Sequence, residues 1–264
     1  MKKFIASLLA VTVLSLCCAA ARSGRITPSS NIITKTVSVG NFNEIDASMV
    51  NVIYNVGRAT GKVSVSAPDN VMPYVTVVTD GDELECKIRS GVQFKGKPNV
   101  TVTVTAPTVR SFSAELSSAI KVNGAVSVST LGVDAETSAS IRFQNDVNVT
   151  GKAEIDAETS ASVVFGNLKA DRAEIDSETS ASVKVENISA AFLSADAETS
   201  GSVSVKGGKV TTGKYSANTS GSVRIEALTR NADCRADTAG SVKCNAESMT
   251  KSTDTGGSVR NLRD

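Results

Sequence analysis

Residues Asp134 to Phe143 read D-A-E-T-S-A-S-I-R-F, and the phrase returns at Asp156 to Phe165, Asp176 to Val185 and Asp196 to Val205. It degrades through Ser216 to Ile225, Arg235 to Cys244 and Ser252 to Asn261, while Ser113 to Val122 is an earlier, weaker copy. The start-to-start spacings are 21, 22, 20, 20, 20, 19 and 17 residues, which makes eight copies. A period of this size belongs to solenoids, whose units bury their apolar faces only against their neighbours.

The residues of one unit select the kind of solenoid. In Ala173 to Glu178, Ala173, Ile175 and Ser177 fall on one side and Glu174, Asp176 and Glu178 on the other. In Ala181 to Val185, Val183 and Val185 share a side and Lys184 points away. Alternation with period two is strand geometry. The T-S-A/G-S tetrad between the two runs is small, polar and turn-prone. No unit carries ten residues at the helical period, and none has a leucine-rich L-x-x-L-x-L frame. Each unit therefore reads as one coil of a parallel β-helix.

Stacking such coils about 4.8 Å apart sets the expected rows. Ile155, Ile175, Ala195 and Tyr215 form one inward row; Val163, Val183, Val203, Val223, Val242 and Val259 form another. A row of threonines (Thr137, Thr159, Thr179, Thr199, Thr219, Thr238, Thr255) is expected to link hydroxyls along the stack. Asn145, Asn167 and Asn187 follow the second strand, where a left-handed turn suits asparagine. Residues 35–110 lack the phrase but keep strand grammar. They read as irregular opening coils and a cap, with a separate small sheet domain as the alternative. The regular repeats occupy 113–261 of a domain spanning 35–264.

The beginning of the chain reads as a leader. Lys2 and Lys3 precede an apolar run from Phe4 to Leu16, and Ala19-Ala20-Ala21 offers a cleavage site before Arg22. Residues 1–21 are thus a signal peptide, and 22–34 an exposed linker. Lipidation at Cys17 or Cys18 is the rival reading; Leu16 stands before Cys17 where a small residue would be wanted. No further apolar stretch reaches membrane length, so no transmembrane span is expected. The exported chain is placed at the cell surface or in the periplasm.

Composition narrows the chemistry. The chain of 264 residues has 28 Lys+Arg against 27 Asp+Glu, no His and no Trp. That balance gives no electrostatic footprint for nucleic acid. The lack of His removes Ser-His-Asp and Cys-His catalysis and His-based metal sites. Cys86, Cys234 and Cys244 remain after cleavage, an odd number. Cys234 and Cys244 stand where neighbouring repeats carry apolar residues and read as small buried hydrophobes. A disulfide between them in an oxidising compartment is the alternative.

The repeated carboxylates are the candidate binding residues. Asp134 and Glu136, Asp156 and Glu158, Asp176 and Glu178, and Asp196 and Glu198 should project from one sheet as two ladders. Like charges at strand spacing repel, so the array must be solvated, partnered or neutralised. The plain reading is a solvated face that keeps the solenoid soluble; the functional one is a divalent-cation or basic-partner surface, with oxygen ligands that suit calcium. Against a metal, these carboxylates sit on flat strands rather than in glycine-rich loops, so neither a metal nor a cofactor is expected. Arg142, Lys184, Arg224, Lys243 and Arg260 form a looser basic row on the second strand. A glycosidase would need a unique carboxylate pair, and this array is monotonous.

Phe42 to Gly57 (F-N-E-I-D-A-S-M-V-N-V-I-Y-N-V-G), the later V-S-V-S-A-P-D-N-V, and Val102 to Phe112 (V-T-V-T-A-P-T-V-R-S-F) precede the serial T-S-A/G-S turns. This order resembles the putative auto-transporter adhesin, head GIN domain family of exported bacterial proteins, over residues 35–260. The resemblance implies an all-β, right-handed parallel β-helix, a secreted or surface location and a role in adhesion without catalysis. The expected partner is a protein or glycan at the cell surface. A periplasmic or surface scaffold for envelope proteins is the first rival, and a carbohydrate-active enzyme the second. Only Leu262, Arg263 and Asp264 follow the last repeat, so homo-oligomers through coil ends or sheet faces are a further expectation.

Overall fold

A computed structural model describes residues 25–58 and 60–264. The leader read at 1–21, with Cys17 and Cys18, lies outside the described residues. The first strands are β1 (Ile32–Ser38), β2 (Glu44–Ser48), β3 (Asn51–Val56) and β4 (Lys62–Pro68). A single 3-10 turn, Met72–Tyr74, precedes β5 (Val75–Asp80), β6 (Glu83–Ile88) and β7 (Thr101–Ala106). Next come β8 (Ser111–Glu115), β9 (Ala119–Asn123), β10 (Val126–Val128), β11 (Leu131–Ala135), β12 (Ser140–Phe143), β13 (Val147–Val149) and β14 (Lys152–Ala157). The C-terminal part holds β15 (Ser162–Ser177), β16 (Ser182–Ala197), β17 (Ser202–Ala217), β18 (Ser222–Ala236), β19 (Ser241–Thr253) and β20 (Ser258–Asn261). Together they form a parallel β-solenoid of about eight turns with coils of roughly 20 residues.

Each coil has three legs. In the middle of the chain they are separate strands, as in β12, β13 and β14; from β15 onward one strand bends through all three. The pairing of β15 with β16 skips Gly166 and Asp171, which are the corners of that coil. Inward residues alternate as expected. Ile155, Ile175, Ala195 and Tyr215 form one buried column, and Val163 to Val242 a second whose last member, Val259, is half-buried. Phe143 stacks on Phe165 at 4.4 Å and meets Phe112 edge-on at 5.3 Å. Burying each such side chain contributes about 1.5–3 kcal/mol, and only a neighbouring coil supplies the contact.

The turn between the first and second legs differs from the expected hydroxyl ladder. Ala139 N–H donates to the Glu136 carbonyl at 3.0 Å, while Thr137 and Ser138 both take positive φ (47° and 65°). The same pair of left-handed residues recurs at 159/160, 179/180, 199/200, 219/220 and 238/239. This is the mirror-image turn usually given to Asn and Gly. The backbone, not the hydroxyl, links the coils: Ser138 N–H donates to Thr159 O at 2.9 Å and Ser160 N–H to Thr179 O at 3.0 Å. With φ positive the threonine carbonyl aims along the stack.

Two further expectations are corrected, and the opening coils show a stacking order that strand grammar does not specify. None of Asn145, Asn167 and Asn187 is left-handed, and Asn167 and Asn187 lie in extended strands. They form a side-chain ladder, Asn187 Nδ2 donating to Asn167 Oδ1 at 3.2 Å and Asn167 Nδ2 to Asp146 Oδ1 at 2.7 Å. The stretch read as an exposed linker is tied down in its described part. Ile26 N–H donates to Gln93 O at 2.8 Å, Asn31 Nδ2 to Asp69 at 2.8 Å, and β1 pairs antiparallel with β4 from Ile32. Lastly, the opening coils share the solenoid but stack out of chain order. β2 lies between β6 and β8, and β3 between β7 and β9, so residues 44–56 form a coil sandwiched between two coils built later in the chain. Antiparallel β4 and β5 border β7 and β6 there.

Candidate binding surface

Parallel register places the first-leg outward residues in one file. It runs Glu85, Asp46, Ser113, Asp134, Asp156, Asp176, Asp196, Ser216, Arg235. Four successive aspartates therefore face the same way at strand spacing, all half-buried. Burial, then the neighbouring carboxylates Glu136 and Asp156, pushes Asp134 up to about 6. Asp176 rises to about 6 through burial, then Asp196 and Asp156. Asp156 is also raised, chiefly by burial, with Lys152 opposing. Asp46 is raised by burial although the Ser113 hydroxyl donates to it at 3.1 Å.

Glu136, Glu158, Glu178 and Glu198 sit differently from the expected second strand ladder. Each is the first residue of a tight turn; its N–H donates to the preceding coil, as Glu158 does to Ala135 O at 2.9 Å. Glu136 is half-buried and the other three are exposed. The carboxylates that do gain cations stand two residues before the aspartates. Lys152 Nζ lies 3.2 Å from Glu154 and 2.6 Å from Glu174, and Arg172 Nε lies 2.5 Å from Glu174. Those cations hold Glu174 below its ordinary value. Among the described residues, no ion pair reaches Asp134, Asp156, Asp176 or Asp196. No group of three acidic or cysteine side chains there converges on a point that could hold a metal ion. A file of carboxylates one coil apart is a surface, not a cage.

The second leg carries the opposite sign. Lys121, Arg142, Val164, Lys184, Ser204, Arg224, Lys243 and Arg260 are in register, across the tight turn from the acidic file. The third leg is hollowed instead. An open groove of about 770 Å³ runs past Ser127, Asn148, Thr150, Lys169, Asp171 and Ser189. It continues past Lys209 and Arg230 through a further hollow of about 430 Å³. The sequence carried one signal for it, the small outward side chains Ser127, Ser189 and Ala191, and these occur in a leg with no repeated phrase.

The comparisons fit this architecture. A putative adhesin from Parabacteroides merdae ATCC 43184 superposes with a TM-score of 0.81 at 17% identity, over 90% of this chain and 99% of that one. A putative adhesin from Parabacteroides distasonis ATCC 8503 gives 0.80 at 19%, over 90% and 100%. A putative lipid binding protein from the same P. distasonis strain gives 0.58 at 15%, over 90% and 100%. At such identities the likeness is one of fold. No curated protein sequence matches the chain. The profile described as "Putative auto-transporter adhesin, head GIN domain" matches residues 41–151 and 143–262, two spans that meet inside the repeats and take in both the opening coils and the serial turns. On that match, the chain belongs to the putative auto-transporter adhesin, head GIN domain family.

Proposed function

We infer that this is an exported, non-catalytic protein of the cell surface or envelope, an adhesin whose solenoid presents repeated side chains to a partner. The observation that carries the reading is the acidic file from Asp134 to Asp196. Four carboxylates are held in register on a rigid sheet, while the nearest cations are engaged one row away. Glu136, Glu158, Glu178 and Glu198 extend the same charge to the corner. A partner meeting such a face makes several weak equivalent contacts at once, and their sum is an avidity. A basic protein segment or an amino-bearing glycan at a cell surface has the matching chemistry. The export signal belongs to the same reading.

Protease treatment of intact cells, with a periplasmic protein as control, tests the location. Digestion of this chain while the control survives supports a surface adhesin. Protection until the outer membrane is broken overturns that reading in favour of a periplasmic scaffold. Among the described residues no helix is long and apolar enough to cross a membrane.

A further inference from the structure

We propose that Cys234 and Cys244 form an intrachain disulfide that locks the last sealed layer of the solenoid core. Their sulfurs lie 3.3 Å apart, and both side chains are fully buried. A disulfide needs about 2.05 Å, so the sulfurs must close by roughly 1.2 Å, within reach of small side-chain rotations.

The positions explain why this pair is special. Cys234 on the first leg and Cys244 on the second stand ten residues apart, either side of the tight turn. The equivalent positions in the preceding coils hold the buried residues Ile155 and Phe165, Ile175 and Val185, Ala195 and Val205, and Tyr215 and Ile225. In the next coil both members are cysteine. The third described cysteine, Cys86, lies in β6, which pairs with β2 at the far N-terminal side of the stack. The Cys244 sulfur also touches Met249 Sδ at 3.2 Å, so three sulfurs gather at this end of the core.

The location gives the bond a structural task. In register, Cys234 is followed by exposed Lys251 and Cys244 by half-buried Asn261. No fully buried column residue lies beyond them. Fraying of a solenoid starts at such an end. A bond from Cys234 to Cys244 ties β18 to β19 just beneath it.

The chemistry is a thiol–disulfide exchange with an external disulfide, RSSR. One cysteine thiolate attacks RSSR, forming a mixed disulfide and expelling RS⁻. The second thiolate then attacks the protein sulfur of the mixed disulfide and expels the second RS⁻. The two protein thiols are oxidised, RSSR is reduced to two RSH, and their two protons go to the thiolates released. Lys251, in register with Cys234, brings an ammonium group to this end of the core, whereas burial pushes the Cys86 thiol up to about 12. Because both sulfurs are buried, exchange proceeds during folding or when β19 and β20 open.

The purified full chain is incubated with oxidised glutathione, alkylated with iodoacetamide in denaturant and digested with trypsin. Cleavage after Arg230, Arg235, Lys243 and Lys251 isolates each cysteine. The expected product is peptide 231–235 joined to peptide 244–251, with Cys86 alkylated. Reduction should lower the melting temperature by roughly 5 °C or more. Recovery of both peptides singly alkylated from protein that is folded by circular dichroism overturns the proposal, as does a bridge involving Cys86. Cys244→Ser must abolish the reductant-dependent melting shift; persistence of the shift also overturns the assignment.

Discussion

Gly201 tests whether the backbone of the tight turn is dictated coil by coil. The third residue of the tetrad is Ala139, Ala161 and Ala181 in three successive coils, then Gly201, Gly221 and Gly240. A Cβ added at Gly201 would stand 2.0 Å from the Ser177 carbonyl oxygen and 2.8 Å from that of Glu198. Gly221, Gly240 and Gly257 meet the equivalent carbonyl at 2.0–2.2 Å. Real Cβ contacts stay above 3.0 Å, so the chain must move by at least 1.0 Å. That movement works against the Gly201 N–H bond to Glu198 O at 2.7 Å and the Ser202 N–H bond to Ala181 O at 3.0 Å. Overpacking costs about 1–3 kcal/mol, and weakening a hydrogen bond about 1 kcal/mol more. Gly201→Ala should therefore destabilise by about 2–4 kcal/mol. The companion Ala181→Gly should lose only a buried methyl and some chain rigidity, about 1–2 kcal/mol. Guanidinium unfolding followed by far-UV circular dichroism, with unchanged m-value, measures both. A Gly201→Ala variant within 0.5 kcal/mol of wild type would refute the claim that carbonyl approach imposes glycine there.

The remaining predictions follow from the same coils. Thr179 holds φ 48° despite its branched Cβ, so Thr179→Gly should stabilise by about 1 kcal/mol after the entropy of the freer unfolded chain is set against the relief; a drop in the unfolding midpoint contradicts this. Asp134 and Asp176 bind protons more tightly folded (about 6) than unfolded (ordinary value 3.8), so stability should rise as pH falls through about 6 and be fully gained below about 4. Glu174 acts in reverse, losing its contribution as pH falls below the ordinary 4.5, so thermal melts should rise from pH 7.5 through pH 5 and level off near pH 4. Asp176→Asn should raise the melting temperature at pH 7.5 by roughly 2 °C and flatten the acid-side gain. A monotonic fall from pH 7.5 to 5 refutes the repulsive file. Phe165→Ala, which removes the partner stacked 4.4 Å from Phe143, should cost about 3–5 kcal/mol in the same unfolding assay.

The columns were legible because a 20-residue period repeats each choice seven or eight times, so Ile175 or Val183 is read with its neighbours' support. The turn was not. Thr137 and Ser138 stand at two left-handed positions where local preference calls for Asn or Gly, and the inter-coil bond from Ser138 N–H to Thr159 O outweighs that preference. No local rule reports a bond to a residue 21 positions away. Strand grammar over 35–110 is plain in the sequence, yet the place of 44–56 between later coils depends on pairings far along the chain. Ile26 and Asn31 looked like linker because their anchors, Gln93 and Asp69, lie dozens of residues further on. The groove has no sequence phrase, because the third leg repeats a shape, small side chains at Ser127 and Ser189.

The acidic file is best understood by asking what the fold needs at that position. Ser113, Ser216 and Arg235 occupy the same file and sustain the same pairings, so the coil does not require a carboxylate. Four aspartates at strand spacing cost stability, since each adjacent like-charged pair opposes the sheet by some tenths of a kcal/mol up to about 1 kcal/mol. The chain carries cations that could have relieved this, but Lys152 and Arg172 engage Glu154 and Glu174 instead. Solubility alone is served as well by the exposed glutamates at the corner, which are less crowded by burial. The repulsion therefore sits in a file where Ser113 and Ser216 sustain the same strand pairing. On the proposed reading, a cation-bearing partner docked on this file would relieve the repulsion and lower the aspartates toward their ordinary 3.8.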